Sequence, residues 1–201
     1  MGRIKKTIIR FSPRVCLHLA WDGIPDYSYE YSKRNLDNSL ALINMLVNET
    51  ECRKIIVSGS CWEHGQSFFA WAKNALHAYG SFFCAWHKVD FIWLRIFFAF
   101  GPGQKRGSLI PTVYEAVNKG EKPGIKNPGN RQDFIYVGDV AQAFRLAVKK
   151  NMGPGTYKIG RGEMVSVGDV CRMVEKTMTG WRPGVTVRQG IKNYIASLEM
   201  A

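Results

Sequence analysis

The chain has 201 residues, 46% of them hydrophobic and 22% charged, and a formal net charge of +12. This composition excludes disordered and collagen-like proteins and suits one domain of ordinary size, or a larger domain with a small appendage. The longest apolar run, residues 91–100, is interrupted by Arg95 and is far shorter than the roughly 20 residues of a membrane-spanning helix. Arg10 likewise interrupts the apolar stretch that a signal peptide needs, so we expect a cytosolic chain.

Neither the cysteines nor the charge identifies a ligand class. The five cysteines are scattered, with no CxxC pair and no Cys/His cluster, and they predict neither a disulfide framework nor a metal site. The basic excess fits a nucleic-acid binder, a pocket for a small molecule with a diphosphate, or simply solvated lysines. Part of it lies in the first fourteen residues, which have no acidic side chain and five basic ones, Arg3, Lys5, Lys6, Arg10 and Arg14.

Short buried strands alternate with helices along the first half of the chain. Apolar residues recur at helical spacing after Asn35, which predicts a helix opening at that residue. Aromatic and branched side chains over residues 89–100 predict a strand that stops at a glycine-proline-glycine turn. The other predicted elements are strands over residues 15–20 and 54–58 and a helix over residues 69–86.

The same alternation continues in the second half. Residues 134–137 form a short predicted strand, and Asp139 has the spacing of a capping box at the start of a helix. Ser166 and Asp169 open a further helix, which Gly180 ends. Strands that alternate with helices in this way predict an α/β fold with a parallel sheet covered on both faces.

The segments that follow the predicted strands carry the most information on function, because ligands of an open parallel sheet bind beyond the carboxyl ends of its strands. The informative pieces are HLAW at His18, GSCWEHG at Gly59, AWAK at Ala70, LRIFFAFGPGQ at Leu94, SLIP at Ser108, DFIYVGDVA at Asp133 and YKIG at Tyr157. Together and in this order they resemble the extended short-chain dehydrogenase/reductases. Within that family the chain is similar to the NAD-dependent epimerase/dehydratase group, which acts on nucleotide sugars.

This resemblance implies an α/β fold with a partial Rossmann-like, doubly wound parallel sheet and a small C-terminal substrate-binding part. It assigns residues 1–104, with 133–152 packing back onto them, to the remaining part of an NAD(P)-binding domain. Residues 105–132 and 153–201 would then form the nucleotide-sugar part. The implied reaction is hydride transfer between NAD or NADP and a sugar carbon, as in a reductase that makes a deoxysugar precursor of cell-surface polysaccharide.

The resemblance also assigns catalytic positions. In this family a serine or threonine after the strand orients the substrate, and a tyrosine four residues before a lysine is the general acid/base. Ser60 and Lys73 match, because a cation beside a phenol favours the phenolate and four residues separate neighbours on one helix face. The tyrosine position holds Phe69, which has no hydroxyl, so we expect ordinary catalysis to be impaired.

Three nearby side chains are weighed as replacements for the missing phenol. Glu63 and His64 can titrate, but a structural role is the favoured interpretation for His64, which lies where the family commonly has an aromatic residue. Cys61 is interpreted as a small packed residue, since no base at a suitable spacing identifies it as a nucleophile.

The cofactor site departs further from the family pattern. These enzymes begin with a strand and a Gly-x-x-Gly-x-x-Gly turn that approaches the pyrophosphate, and no such motif occurs in the 201 residues. We expect that the chain starts inside the fold, without on the order of 60 residues, and that it binds NAD or NADP poorly. The resemblance leaves Ala20, Trp21, Lys73 and Ile96 as cofactor-binding residues on the nicotinamide side.

On the substrate side, the resemblance assigns pocket positions to Phe97, Phe98, Ser108, Leu109 and Arg131. Family members often have an arginine immediately before the aspartate that matches Asp133, to hold a phosphate in two hydrogen bonds. That position is Gln132 here, so a diphosphate contact depends on Arg131, which could equally be a solvated loop cation.

Three functional hypotheses follow. The first is a nucleotide-sugar epimerase or reductase-like protein, impaired at position 69, and the second is a noncatalytic remnant that binds a sugar nucleotide or a partner subunit. The third, a nucleic-acid-binding module, rests on charge alone and has no recognition motif. We expect no nucleic acid or membrane partner, and a homodimer or aggregate if the strand over 15–20 has an exposed side.

Overall fold

The computed structural model describes residues 2–150, 152–175 and 185–200, so the predicted helix end at Gly180 lies outside the described residues. The chain forms two compact units, Met1–Ile96 with Phe144–Lys158 and Phe97–Ala143 with Ile159–Ala201. The units therefore divide the chain after residues 96, 143 and 158, whereas the sequence predicts boundaries after residues 104, 132 and 152. Assignment of either unit to cofactor or substrate stays a prediction.

Helices and strands alternate as the sequence predicts. The helices are α1 (Gly2–Phe11), α2 (Tyr29–Glu49), α3 (Phe68–Trp86), α4 (Leu109–Asn118), α5 (Val137–Lys149), α6 (Val167–Glu175) and α7 (Val187–Glu199). The strands are β1 (Val15–His18), β2 (Lys54–Ser60), β3 (Asp90–Ile96), β4 (Phe98–Phe100), β5 (Arg131–Tyr136), β6 (Gly155–Ile159) and β7 (Met164–Ser166).

The first unit is built on a sheet with the strand order β1-β2-β3-β6. β1 and β3 both run parallel to β2, and Ser60 at the end of β2 pairs in register with Ile96 at the end of β3. The predicted α/β class is thereby confirmed. Apolar side chains of the sheet and of α2 and α3 form the core, among them Ile43, Leu46, Ile55, Val57, Leu76 and Trp93.

The second unit has a smaller sheet with the strand order β4-β5-β7. β4 runs parallel to β5, and β7 runs antiparallel to it. The core of this unit draws on the sheet and on α4, α6 and α7, and it includes Phe100, Val113, Phe134, Val170, Ile191 and Tyr194.

The prediction that a helix opens at Asn35 is wrong. α2 begins at Tyr29, and Ser28 is its N-cap. Asn35 lies inside the helix, where its side chain accepts a hydrogen bond from the backbone N–H of Asp22 (2.8 Å) and donates to the carbonyl of the same residue (2.9 Å). Asparagine is common at helix starts, but here its amide is used to hold the loop after β1.

Two further predictions need correction. The strand predicted over residues 89–100 is two strands, because β3 and β4 belong to different sheets. α5 begins at Val137, so Asp139 lies in its first turn and is not its cap. The start of α6 is confirmed, since the Ser166 hydroxyl accepts from the backbone N–H of Asp169 at 3.0 Å.

Among the described residues there is neither a membrane-spanning helix nor a metal-binding cluster. None of their helices is both long and apolar enough to cross a bilayer. Nor does this part of the chain bring three or more histidine, cysteine, aspartate or glutamate side chains together in a group that could hold a metal ion.

Candidate functional site

The candidate site lies at the carboxyl ends of the parallel strands of the first unit. Ser60 and Ile96 are neighbours in register there, and the Lys73 ammonium donates to the carbonyl of Ser58 at 2.9 Å. The Phe69 ring is in edge contact with Trp21, which follows β1. The structure therefore brings predicted site residues from three elements to one edge of the sheet, as strand topology requires.

Ser60 ends β2 and is the N-cap of a short 3-10 turn, Cys61–His64. Its hydroxyl accepts from the backbone N–H of Trp62 at 3.2 Å, and its own backbone N–H donates to the Glu63 carboxylate at 2.6 Å. This reciprocal pair is a capping box, which fixes the backbone at the point where the predicted substrate-orienting hydroxyl emerges.

Glu63 is completely buried and holds the turn to β3. Its carboxylate accepts from the Trp93 indole at 2.9 Å and forms an ion pair with Arg95 at 2.9 Å, with a second guanidinium contact at 3.0 Å. The indole fits because residue 59 is glycine: a Cβ on Gly59 would lie 2.1 Å from the indole nitrogen. The S-x-x-E spacing from Ser60 is the sequence signal that would have predicted this structural role.

Lys73 is surrounded by aromatic rings. Its Nζ lies 3.9 Å from the ring centroid of Trp21 and 5.8 Å from that of Phe69. Burial lowers the pKa of Lys73 to about 8, and the nearby Glu63 carboxylate opposes this shift. The ammonium is thus a buried cation with one carbonyl partner and an aromatic face against it.

Phe69 lies on α3, one turn before Lys73, as the spacing predicts. The side chain is buried, and its ring makes edge contacts with Trp21 and Tyr27 at centroid distances of 5.5 and 5.3 Å. A phenyl ring therefore occupies the place beside the lysine that the resemblance assigns to a phenol.

His18 ends β1 and was not among the predicted site residues. Its Nε2 lies 2.8 Å from the hydroxyl of Ser39, which itself donates to the carbonyl of Asn35 at 2.7 Å. With the hydroxyl proton donated to that carbonyl, the tautomer that carries its proton on Nε2 completes the pair. Burial, with a smaller contribution from the Lys73 charge, lowers the pKa of His18 to about 4, so a neutral structural histidine is expected at neutral pH.

The predicted nicotinamide side of the site can be tested for fit at Lys73. A lysine that holds the ribose hydroxyls of a nucleotide must present its ammonium to them. Here the residue is 4% exposed, with Trp21 against the ammonium and Ser58 as its carbonyl partner. In this arrangement the residues present do not fit a nicotinamide ribose at Lys73. No contact in the structure supports the assignment of Ala20 or Ile96 to a cofactor, and both remain predictions.

An aromatic groove of about 600 Å³ lies next to Tyr27. Stacked and edge contacts between Tyr29, Phe68 and Trp71 form its wall. The groove is lined by Tyr27, Tyr29, Gln66, Ser67, Phe68 and Trp71. The groove adjoins the candidate site at Tyr27, whose ring contacts Phe69.

The predicted substrate residues belong to the second unit. Phe98 and Leu109 are partly buried and pack against its core, where the Phe98 ring lies 6.0 Å from that of Phe134. Ser108 is the N-cap of α4, and Phe97 lies between β3 and β4. Their assignment to a substrate pocket stays a prediction.

Asp133 and Arg131 lie close together on β5 and differ in burial. Asp133 is buried and accepts from the backbone N–H groups of Arg161 and Gly162 at 2.6 and 3.0 Å. Arg131 is exposed, and its guanidinium donates to the carbonyl of Met164. Asp133 thus holds a glycine-containing turn, whereas Arg131 remains open to solvent as a candidate phosphate contact.

Comparison with protein families and with curated proteins connects this geometry to known relatives. Residues 3–160 match the profile of the family described as NAD dependent epimerase/dehydratase family. A segment of 90 residues is 29% identical to CDP-abequose synthase of Salmonella muenchen, covering 44% of this chain and 31% of that protein. A similar match to the Salmonella typhimurium enzyme covers 34% of its length, so the matched segment spans about a third of these curated relatives.

Solved structures show the same fold at lower identity. The UDP-glucose 4-epimerase of Thermotoga maritima, solved with UDP-glucose, superimposes with a TM-score of 0.84 at 19% identity, over 98% of this chain and 82% of that one. The Bordetella bronchiseptica enzyme WbmG, solved with NAD, gives a TM-score of 0.81 at 15% identity, over 99% of this chain and 76% of that one.

Proposed function

Because the chain belongs to the NAD dependent epimerase/dehydratase family, we propose that it is an NAD(P)-dependent nucleotide-sugar epimerase/reductase-like protein impaired at position 69. The observation that carries this proposal is the buried Phe69 ring, one helical turn before Lys73. A positioned acid/base contributes about 10²–10⁴-fold to rate, and a phenyl ring can neither donate nor accept a proton.

The contacts of neighbouring groups support the impairment. Both oxygens of the Glu63 carboxylate already accept hydrogen bonds, from Ser60, Trp93 and Arg95, so this group is not free to exchange a proton with a substrate. His64 is exposed at the end of the 3-10 turn. Neither residue is placed beside Lys73 in the way that the phenol of an active relative would be.

The test compares the parent chain with Phe69→Tyr, using NADH or NADPH and nucleotide 4-keto sugars. Each is assayed alone and fused to a glycine-rich strand-turn-helix segment from a family member, since the 201 residues contain no such turn. We expect turnover only from the fused Phe69→Tyr protein, and Lys73→Ala in that fusion as the inactive control. Substrate-dependent oxidation of NADH or NADPH by the unmodified chain would refute the proposal.

Cofactor binding gives an independent measurement. The misfit at Lys73 and the lack of a glycine-rich turn lead us to expect no dissociation constant in the low micromolar range for NADH or NADPH. Isothermal titration calorimetry on the unmodified chain measures this directly.

A second candidate function is a noncatalytic protein that binds a sugar nucleotide. The ring of Trp21 against Lys73 favours it, because that contact uses the side chain that would otherwise serve the reaction. Calorimetry with UDP-glucose or CDP-glucose separates the two functions: binding without turnover, even in the fused Phe69→Tyr protein, indicates the second.

We also propose that the protein forms a homodimer through α3. The outward face of this helix has an aromatic pair at each end, Phe68 with Trp71 and Phe82 with Trp86, and small residues Ala75 and Ala78 between them. When two such helices cross antiparallel about a two-fold axis, the small residues allow close approach and each aromatic pair meets the opposite pair.

Charge and area support a second copy as the partner. Lys73 is the only lysine, arginine, aspartate or glutamate in α3 and is buried, so no exposed lysine, arginine, aspartate or glutamate of this helix lies in the proposed interface. Phe82 and Trp86 are 74% and 77% exposed, and the four aromatic side chains expose on the order of 500 Å² of the ~800 Å² that a stable interface takes per partner. Trp86→Glu should give a monomer in sedimentation velocity, and a monomeric parent chain would exclude the dimer.

A further inference from the structure

The contact between Trp21 and Lys73 carries an inference about access to the site. Lys73 is 4% exposed, and its Nζ lies 3.9 Å from the Trp21 ring centroid. The other surroundings are the Ser58 carbonyl at 2.9 Å and the rings of Phe69 and Trp93, with centroids at 5.8 and 5.9 Å. The ammonium is therefore enclosed by three aromatic rings and the end of β2.

Trp21 is held in this position by two elements. Its ring is in edge contact with the Phe69 ring of α3 at a centroid distance of 5.5 Å. The next residue, Asp22, has both its backbone N–H and its carbonyl bonded to the Asn35 side chain of α2. An asparagine that bonds both groups of one residue fixes that stretch of backbone, so Trp21 does not lie on a loosely attached loop.

We propose that Trp21 is a fixed cover over Lys73, and that in this chain Lys73 is a buried cation that ties α3 to the end of β2 instead of a group that binds ligand hydroxyls. The inference rests on the proposed function and deepens it, because it places a second obstacle beside the missing phenol. A nucleoside ribose with its two neighbouring hydroxyls reaches Nζ only if the Trp21 ring leaves. In the fused Phe69→Tyr protein, turnover would therefore require a local opening in which the Trp21 ring leaves Lys73.

Because the pKa of Lys73 is lowered, the reaction of its amine with an acylating reagent can measure whether Trp21 covers it. Burial brings this pKa to about 8, so at pH 9 most of the side chain is the neutral amine, the form that reacts with anhydrides. An accessible lysine with this pKa would be acylated faster than an ordinary surface lysine. Slow acylation of Lys73 would therefore show that its amine is enclosed, because at pH 9 a positive charge no longer protects most of it.

The experiment is acetylation of the folded 201-residue chain with acetic anhydride at pH 9, followed by peptide mass spectrometry. Exposed Lys122 and Lys126 serve as internal references. We expect Lys73 to react at least ~100-fold more slowly than these references, because reaction requires a local opening. Trp21→Ala should raise the Lys73 rate at least ~10-fold, whereas Trp71→Ala, which removes a tryptophan of the outer face of α3, should leave it unchanged.

Two results would overturn the cover: Lys73 in the parent chain reacting as fast as the references, or a folded Trp21→Ala variant in which Lys73 stays as protected as before. Circular dichroism verifies folding, and Trp21→Phe, which keeps a ring over the ammonium, should retain the protection if Trp21→Ala does not fold. Loss of protection in a folded Trp21→Phe variant would also count against the cover.

The result of the acetylation experiment can be distinguished from the result of the turnover assay that tests the proposed function. Substrate-dependent turnover by the parent chain with Lys73 still protected would refute the impairment and leave the cover standing. Rapid acetylation without turnover would refute the cover alone.

Discussion

The two units satisfy their buried carboxylates in different ways. In the first unit, Glu63 is held largely by other side chains, of which Arg95 is its ion-pair partner. In the second, Asp133 is held by the backbone N–H groups of Arg161 and Gly162. Removing Glu63 leaves the Arg95 charge without its partner inside the protein, whereas removing Asp133 leaves two backbone N–H groups that belong to exposed residues. The first unit should therefore tolerate substitution less well.

The largest effect is expected for Glu63→Leu. This change leaves Arg95, whose side chain is 16% exposed, without its counter-charge, and should lower the free energy of unfolding by about 3–5 kcal/mol. Urea denaturation followed by tryptophan fluorescence measures the difference. Glu63→Gln keeps the shape of the side chain and one carbonyl acceptor, so its loss should be smaller.

A double variant sharpens this result. Glu63→Leu combined with Arg95→Leu removes both charges and should recover part of the stability lost in the single variant. A loss under about 1 kcal/mol in Glu63→Leu would show that the ion pair does not distinguish the first unit from the second.

The next effect is a pH dependence from His18. The folded pKa of about 4 lies below the ordinary value of 6.5, so the unfolded chain binds the extra proton between these values. The contribution of His18 to the free energy of unfolding is therefore fully present above pH 6.5. It is lost as the pH falls toward 4, by about 3 kcal/mol in total. Urea unfolding of the parent and of His18→Gln from pH 4 to 7 should give a shallower curve for the variant. Curves of equal slope would contradict the shift.

Asp133→Asn should have a smaller effect. The asparagine retains one acceptor oxygen but places an N–H₂ group against a backbone N–H, which should lower the free energy of unfolding by about 1–3 kcal/mol. Amide hydrogen exchange at Arg161 and Gly162 should become faster. Asp139→Asn, the same change in the first turn of α5, is the matched control and should be close to neutral. Equal losses of the free energy of unfolding in both variants would show that Asp133 has no special role in this unit.

The smallest effect on stability is expected for Arg131→Ala. The side chain is exposed and, among the residues that the structure describes, donates to the carbonyl of Met164, so the free energy of unfolding should change by about 0.5 kcal/mol or less. If the parent chain binds UDP, the variant should bind it more weakly, as measured by calorimetry. Unchanged affinity would identify Arg131 as a solvated cation.

Strong local patterns in the sequence predicted the helices and strands well. They carry no information on contacts between residues that are far apart in the chain. α3 and the start of α6 follow from helical spacing and from a serine three residues before an aspartate. The break at Phe97 has no glycine or proline to mark it, because it arises where the chain passes from one sheet to another. The prediction of a helix start at Asn35 was wrong because its side chain holds the backbone of Asp22 and the Tyr31 carbonyl one turn earlier in the same helix.

The same distinction applies to the candidate site. The family resemblance could assign Ser60, Phe69 and Lys73 to the site because the motifs that carry it, a strand end and a four-residue spacing, are local properties of the sequence. The contact of Trp21 with Lys73 depends on how the loop after β1 packs against α3, and no sequence spacing predicts it. The ion pair of Glu63 with Arg95 likewise joins residues that are far apart in the chain.

The glycine at position 59 constrains the order in which this protein can change. The Trp93 indole reaches Glu63 only because Gly59 leaves its space empty. Alanine at position 59 would displace the ring and take a donor from the buried carboxylate, whereas the same alanine after Trp93 has become a smaller residue would meet no obstacle. The two positions are therefore epistatic: the cost of alanine at position 59 depends on the side chain at position 93.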